Sequence, residues 1–209
     1  LLIKLTFMKK LFTLLVAFLM AFSSQAAIYR VNVSVVGGSN NGTSWPNAFS
    51  SLSSALAVAV SGDQIWVAKG TYIPGASASD IFLIPSGVSV YGGFAGGETV
   101  VTARNFTTNV TTLSGNSVCN HVVGLNDVTA ATLLDGFTIS GASGGAIGGG
   151  IYNYGGSNKV TIQNCIIKNN SAGQGAGNRP GLCLRAAPGA GPHRCGTAGD
   201  GRRASGEDP

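Results

Sequence analysis

Short runs rich in β-branched and aromatic residues recur from Ile65 onward, each closed by a glycine-rich break, with no helix-patterned segment between them. The runs are 65–68, 88–91, 111–113, 121–123, 137–139 and 160–167. Ile65 to Val88 is 23 residues, Val88 to Thr111 is again 23, and Phe137 to Ile162 is 25. Sandwiches and barrels place turn signals every ~8–12 residues. The longer interval points instead to a solenoid of β-rungs. One rung cannot bury its own inner face, so successive rungs stack and share a core. Each interval holds two or three sub-runs, as expected when a rung has several faces.

The stretch before the first rung has a different period. Phe49, Leu52, Leu56 and Ala59 fall at three- and four-residue spacing, on one face of a helix. Trp45-Pro46 leads into it, since proline is accepted in a first turn. Ser61-Gly62-Asp63 stops it, and Ile65-Trp66-Val67-Ala68 follows as a strand. The expectation is a capping helix over the open first end of the solenoid, with Ile65, Trp66 and Leu56 closing the core. Trp45 reads as packing against that cap, with ligand stacking as the alternative. Upstream, residues 28–33 alternate as a strand and 37–44 form a turn-rich loop.

Residues 136–156 contain nine glycines. Apolar residues are interleaved with them at Ala146, Ile147, Ile151 and Tyr152, which flexible linkers lack. The glycines therefore read as coil corners, where unusual backbone angles are needed. The next unit, 160–172, alternates at its start, with Ile162 and Ile167 expected to point inward. Asn164 and the pair Asn169-Asn170 fall where the coil turns, and asparagine side chains there satisfy turn backbone groups. Asn105, Asn109 and Asn169 also head glycosylation-type triplets, although corner roles suit them better.

The N-terminus reads as a targeting segment. Met8-Lys9-Lys10 is basic, 11–22 is apolar apart from Thr13, and Ser24-Gln25-Ala26 supplies small residues before a cleavage point after Ala26 or Ala27. An apolar run of about a dozen residues is too short to span ~30 Å of hydrocarbon, so no transmembrane span is expected in the mature fragment. Residues 1–26 are thus read as upstream residues plus a signal peptide, and 27–177 as the N-terminal part of the solenoid. The tail, 178–209, has no Ile, Val, Phe, Trp, Tyr or Lys. It is expected to be disordered and unable to continue a rung. Its abrupt change of composition reads as a frameshift or mis-joined sequence that truncates the solenoid at its C-terminal end.

The net charge of +5 does not describe the body. Between Ala27 and Gly177, Arg30, Lys69, Arg104, Lys159 and Lys168 balance Asp63, Asp80, Glu98, Asp127 and Asp135. A neutral body offers no footprint for nucleic acid. Cys119 and Cys165 have no zinc-type spacing and read as buried single thiols, with a bridge between them as the alternative. Cys183 and Cys195 lie in the tail, where His193 and Cys195 do not make a metal site.

The motifs now carry a resemblance. Gly149-Gly150-Ile151-Tyr152-Asn153, followed by Asn164-Cys165-Ile166-Ile167-Lys168-Asn169-Asn170-Ser171-Ala172, resembles the GG[AG]I…FxxNxA repeat of the polymorphic outer-membrane protein family. Ile167 stands at its Phe position and Asn170 at its Asn. Residues 55–72 resemble the first coil of pectin-lyase-like right-handed β-helices. Val90-Tyr91-Gly92-Gly93-Phe94-Ala95-Gly96-Gly97-Glu98, then Arg104-Asn105, then Thr112-Leu113-Ser114-Gly115, is similar to secreted bacterial β-helix repeat proteins. Together these span residues 29–172. They imply an all-β chain, a right-handed parallel β-helix with a short N-terminal capping helix, located outside the cell or on the outer-membrane surface.

The residues offer little chemistry. Hydrolysis of glycans needs two convergent carboxylates, and lyases of the resembling fold use acidic calcium ligands and a basic proton acceptor. No two acids of the body lie within seven positions of each other. Asp135 could lie near a side chain of a neighbouring rung, but it and Asp63 read as turn residues, Arg104 has no acidic cluster to work with, and His121 is isolated. No nucleophile elbow, phosphate loop or metal spacing is present. No catalytic, cofactor-binding or metal residue is therefore assigned, and no cofactor is expected. The expected function is non-catalytic adhesion to a polysaccharide or a cell-surface protein. The alternatives are the N-terminal part of a β-helix polysaccharide lyase or hydrolase, and a purely structural stalk or passenger domain.

Overall fold

In the computed structural model, described over residues 26–155, 159–174 and 184–185, apolar alternation produces short strands, and every strand pairing is parallel. The strands are β1 (Ile28–Val31), β2 (Gln64–Ala68), β3 (Gly70–Tyr72), β4 (Phe82–Ile84), β5 (Ser89–Phe94), β6 (Thr111–Ser114), β7 (Val123–Asn126) and β8 (Thr132–Asp135). They continue with β9 (Phe137–Ser140), β10 (Gly145–Ile147), β11 (Ile151–Tyr154), β12 (Val160–Gln163), β13 (Ile166–Ile167), β14 (Ala172–Gln174) and β15 (Leu184–Arg185). One α-helix, α1 (Leu52–Val58), stands between β1 and β2.

Sheet 1 has the order β1-β2-β5-β8-β12-β15, sheet 2 β13-β9-β6-β3, and sheet 3 β11-β7-β4, while β10 and β14 form a small pair. From β2 the chain visits sheets 1, 2 and 3 in turn, then returns to sheet 1 and repeats the order. The registers line up the apolar positions. Ile65, Val90, Leu134 and Ile162 share one line in sheet 1. Tyr72, Leu113, Ile139 and Ile167 share one in sheet 2, and Phe82, Val123 and Ile151 one in sheet 3. All are part of, or packed against, one buried cluster drawn from the three sheets.

Two strand-to-strand corners need left-handed backbone. Gly136 (φ 85°) joins β8 to β9, and Asn164 (φ 53°) occupies the equivalent place after β12. Glycine has no Cβ penalty there, and asparagine is among the few other residues that tolerate it. Asn169 (φ 54°) is a second such corner, and Asn170 bridges layers: its Nδ2 donates to the Ile139 carbonyl at 3.0 Å and its Oδ1 accepts from Ala142 N at 3.0 Å.

Several expectations change. The helix is shorter than its apolar spacing implies. Phe49 lies outside it, in a parallel bridge to Val31, and Pro46 sits in a turn well before it. The helix ends at Val58 with Ala59 extended, so Gly62 (φ 99°) turns the chain into β2 and is not its C-cap. Leu52, Ala55 and Leu56 do face the core, and α1 packs against β1, β2 and β4 at the first end of sheet 1. Trp66 faces away from that core, into a separate cluster with Trp45, Ala68 and Phe94.

The 23-residue interval from Val88 to Thr111 also fails as a layer repeat. Thr111 pairs with Gly70 and Phe137 in sheet 2, whereas Val90 pairs with Ile65 and Leu134 in sheet 1. The 25-residue step from Phe137 to Ile162 likewise joins two different sheets. In the tail, Leu184–Arg185 pairs in parallel with β12, so these two residues extend sheet 1 where composition predicts no further strand. Residues 1–25, most of the segment read as a signal peptide, and the rest of the tail lie outside the described residues. No helix among the described residues is long and apolar enough to cross a membrane.

Candidate functional site

The outer face of sheet 2 carries a row of hydroxyl side chains. In β6 and β9 the residues alternate buried and half-buried, so Leu113 and Ile139 point inward while Thr112, Ser114, Thr138 and Ser140 point out. Thr71 in β3 is exposed beside buried Tyr72. The register places Thr71, Thr112 and Thr138 in one line, which exposed Ile166 of β13 continues, and Ser114 beside Ser140 in a second. Parallel strands lie about 4.8 Å apart, so the hydroxyls repeat at that spacing. The three threonine hydroxyls take no hydrogen bond among the described residues, and Ser114 Oγ accepts from Asn116 N at 3.1 Å. A threonine hydroxyl offers one donor and two acceptor lone pairs. The array is uncharged, half-exposed and open to a repeating polar ligand.

The outer face of sheet 1 is arranged differently. Arg30, Trp66, Tyr91, Asp135 and Gln163 share one register line. The Arg30 guanidinium lies 5.5 Å from the Trp66 ring centre, and Trp66 stacks on Phe94 at 4.9 Å and 10°. Trp45 closes this cluster against Phe94 at 5.6 Å, and its indole N–H donates to the Glu98 carbonyl at 2.8 Å. Trp45 is thus a packing residue, with both its ring and its polar handle engaged.

Arg104 comes from the segment joining β5 to β6 and lies over Tyr91 and Phe106, 5.3 Å from each ring centre. Its Nη2 donates to Asp135 Oδ2 at 2.6 Å, and its Nη1 to the Gly92 carbonyl at 2.9 Å. Asp135 also accepts from Gln163 Nε2 at 2.8 Å and Asn164 Nδ2 at 2.7 Å. The two side chains are only 11% and 2% exposed. Asp135 does stand at a corner, before Gly136, as its Asp-Gly sequence implies. Arg104 has one acidic partner and no acidic cluster: stacking brings together residues 31 apart in sequence, the neighbouring-rung contact that Asp135 was free to make. With both oxygens engaged, the Asp135 carboxylate ties the corner to the neighbouring layers.

The other titratable groups are placed similarly. Asp63 accepts the amides of Ala27 and Val60, and Asp80 accepts that of Ser77. Glu98 is half-buried, which raises its pKa, yet the amides of Ala95, Gly97 and Gly96 pull it down further, so the net direction is down. His121 stacks on Tyr152 at 4.5 Å, with Nδ1 3.0 Å from the Gly148 carbonyl. Cys119 and Cys165 are free thiols, and burial pushes that of Cys165 up to about 11. Among the described residues no His, Cys, Asp and Glu group could hold a metal ion. Cys183, His193 and Cys195 lie outside them.

No family model, curated protein or solved structure matches the chain.

The geometry and the sequence motifs therefore carry the functional reading alone. Sequence reasoning missed both faces. The signal for the hydroxyl ladder was present in Thr71-Tyr72, Thr112-Leu113-Ser114 and Thr138-Ile139-Ser140, each a polar residue flanking an inward apolar one.

Proposed function

We propose that this is a secreted, right-handed parallel β-helix repeat protein that acts without catalysis, presenting sheet 2 for adhesion to a polysaccharide or a cell-surface partner. The cyclic order of sheets and the shared core support the solenoid, and parallel crossovers are right-handed in ~98% of cases. The helix α1 over the first end of sheet 1 fits a cap. The resemblance of residues 149–153 and 164–172 to polymorphic outer-membrane repeats, and the basic-apolar-small pattern of residues 8–26, support a place outside the cell.

The observation that carries the binding role is the ladder of Thr71, Thr112 and Thr138 with its neighbouring serines. A polymer of repeating hydroxyls meets a threonine hydroxyl in each of the β3, β6 and β9 layers, and exposed Ile166 takes that place in β13. The engaged carboxylates Asp63, Asp80, Glu98 and Asp135 favour binding over bond cleavage.

The test is to incubate the protein with a panel of neutral and acidic polysaccharides and to follow both retention and product. Retention of at least one polymer is expected, with no unsaturated product and no new reducing end. The variant Thr71→Val/Thr112→Val/Thr138→Val is expected to weaken retention at least tenfold while keeping its melting temperature. Cleavage products would select a lyase or hydrolase, and absence of any retention would select a stalk.

A further inference from the structure

The backbone nitrogen just ahead of β1 meets a buried acid. Ala27 N donates to Asp63 Oδ1 at 2.8 Å, and Val60 N donates to Asp63 Oδ2 at 2.9 Å. Asp63 is 5% exposed, and no Lys, Arg or His side chain is ion-paired with it among the described residues, where the one such pair is Arg104–Asp135. A buried carboxyl group is usually paired with a positive charge. Two neutral amides supply hydrogen bonds but no charge.

The same contact sits at the junction that the sequence marks for processing. Ala26 is exposed, Ala27 is half-buried, and β1 begins one residue later. The Ala27 carbonyl accepts from Gln64 N at 2.8 Å, so this residue is held on both sides against the turn and the start of β2.

We propose that the Ala26–Ala27 peptide bond is the processing site, and that Asp63 is the receptor for the α-amino group released there. The inference rests on the secreted reading, since a signal-type peptidase must make the cut. That peptidase adds water across the bond: Ala26 leaves as a carboxylate, and the Ala27 nitrogen becomes an ammonium. The nitrogen already lies within hydrogen-bond distance of Asp63 Oδ1, so processing converts a neutral amide contact into an ion pair without moving β1. Cutting one residue later, after Ala27, would remove the nitrogen that Asp63 holds. The geometry therefore separates two cleavage points that the sequence leaves equal.

Two measurements test this. The full precursor is expressed in an exporting bacterial host, and the N-terminus of the exported protein is sequenced: Ala27 is expected as the first residue. The chain 27–209 is then prepared with Ala27 as its free N-terminus and, separately, with Gly-Ser ahead of it, each with Asp63 and with Asp63→Asn. The extension is expected to lower Tm by roughly 2–4 °C with Asp63 present, and to have no effect in Asp63→Asn. Equal effects of the extension in both backgrounds would overturn the capture, and a first residue of Ile28 would overturn the assigned bond. An uncleaved, retained precursor would instead sink the secreted reading, while the extension cycle still decides the role of Asp63.

Discussion

Tyr72 shows how one side chain can tie two layers together. Its ring lies inward in line with Leu113, and its hydroxyl donates to the Ala68 carbonyl at 3.0 Å while accepting from Val33 N at 3.2 Å. Burial raises its pKa to about 12, with the Val33 hydrogen bond pulling weakly the other way. An unfolded tyrosine loses its proton near ~10. The folded value is the higher, so the unfolded chain ionises first. The contribution is whole below pH ~10 and is lost as pH rises toward about 12. Denaturant unfolding across that range should show this decline in the wild type and a shallower one in Tyr72→Phe. The absorbance titration of the variant should lack the step at about 12. At neutral pH, Tyr72→Phe is expected to cost about 1–3 kcal/mol, because the Val33 amide loses its partner.

At the scale of elements, the connection from β5 to β6 depends on the Arg104–Asp135 pair. It passes over β5 at Gly93 (φ 91°), where a Cβ would stand 2.6 Å from the Phe106 Cα, so bare backbone is needed for the chain to lie this close. Asp135→Ala would strand the guanidinium, Gln163 and Asn164 together, and is expected to cost about 3–5 kcal/mol in chemical unfolding. Arg104→Met/Asp135→Leu should recover most of that loss, because no charge is left buried alone. If the double variant is as unstable as the sum of the singles, the pair is not coupled. The sequence made the strands legible but not this node. Runs such as Phe137-Thr138-Ile139 announce themselves by composition, and the Gly-rich corners between them by the absence of side chains. Which run stacks on which is set by core packing across layers. The intervals of the described layers in sheet 1 differ, from 25 between Ile65 and Val90 to 44 between Val90 and Leu134. That irregularity is why a 23-residue spacing joined strands from different sheets, and why Arg104 looked solitary.

For the whole molecule, parallel pairing with a shared inner line means that each layer touches chiefly its neighbours. Stability in such an array is approximately a sum of unit and nearest-neighbour terms. Leu134 tests this, since it is 1% exposed and lies between Val90 and Ile162 in the register of sheet 1. Leu134→Ala should cost about 2–5 kcal/mol through lost burial and the cavity left behind. In a one-dimensional stack that loss is local. Hydrogen exchange should quicken first in β5, β8 and β12, while β1 and α1, at the far end of the sheet, keep their protection. A uniform rise in exchange across all strands would mean that the layers unfold as one cooperative unit. The nearest-neighbour account would then fail, and with it the idea that the face of sheet 2 could be lengthened or shortened layer by layer without disturbing the end formed by β1 and α1.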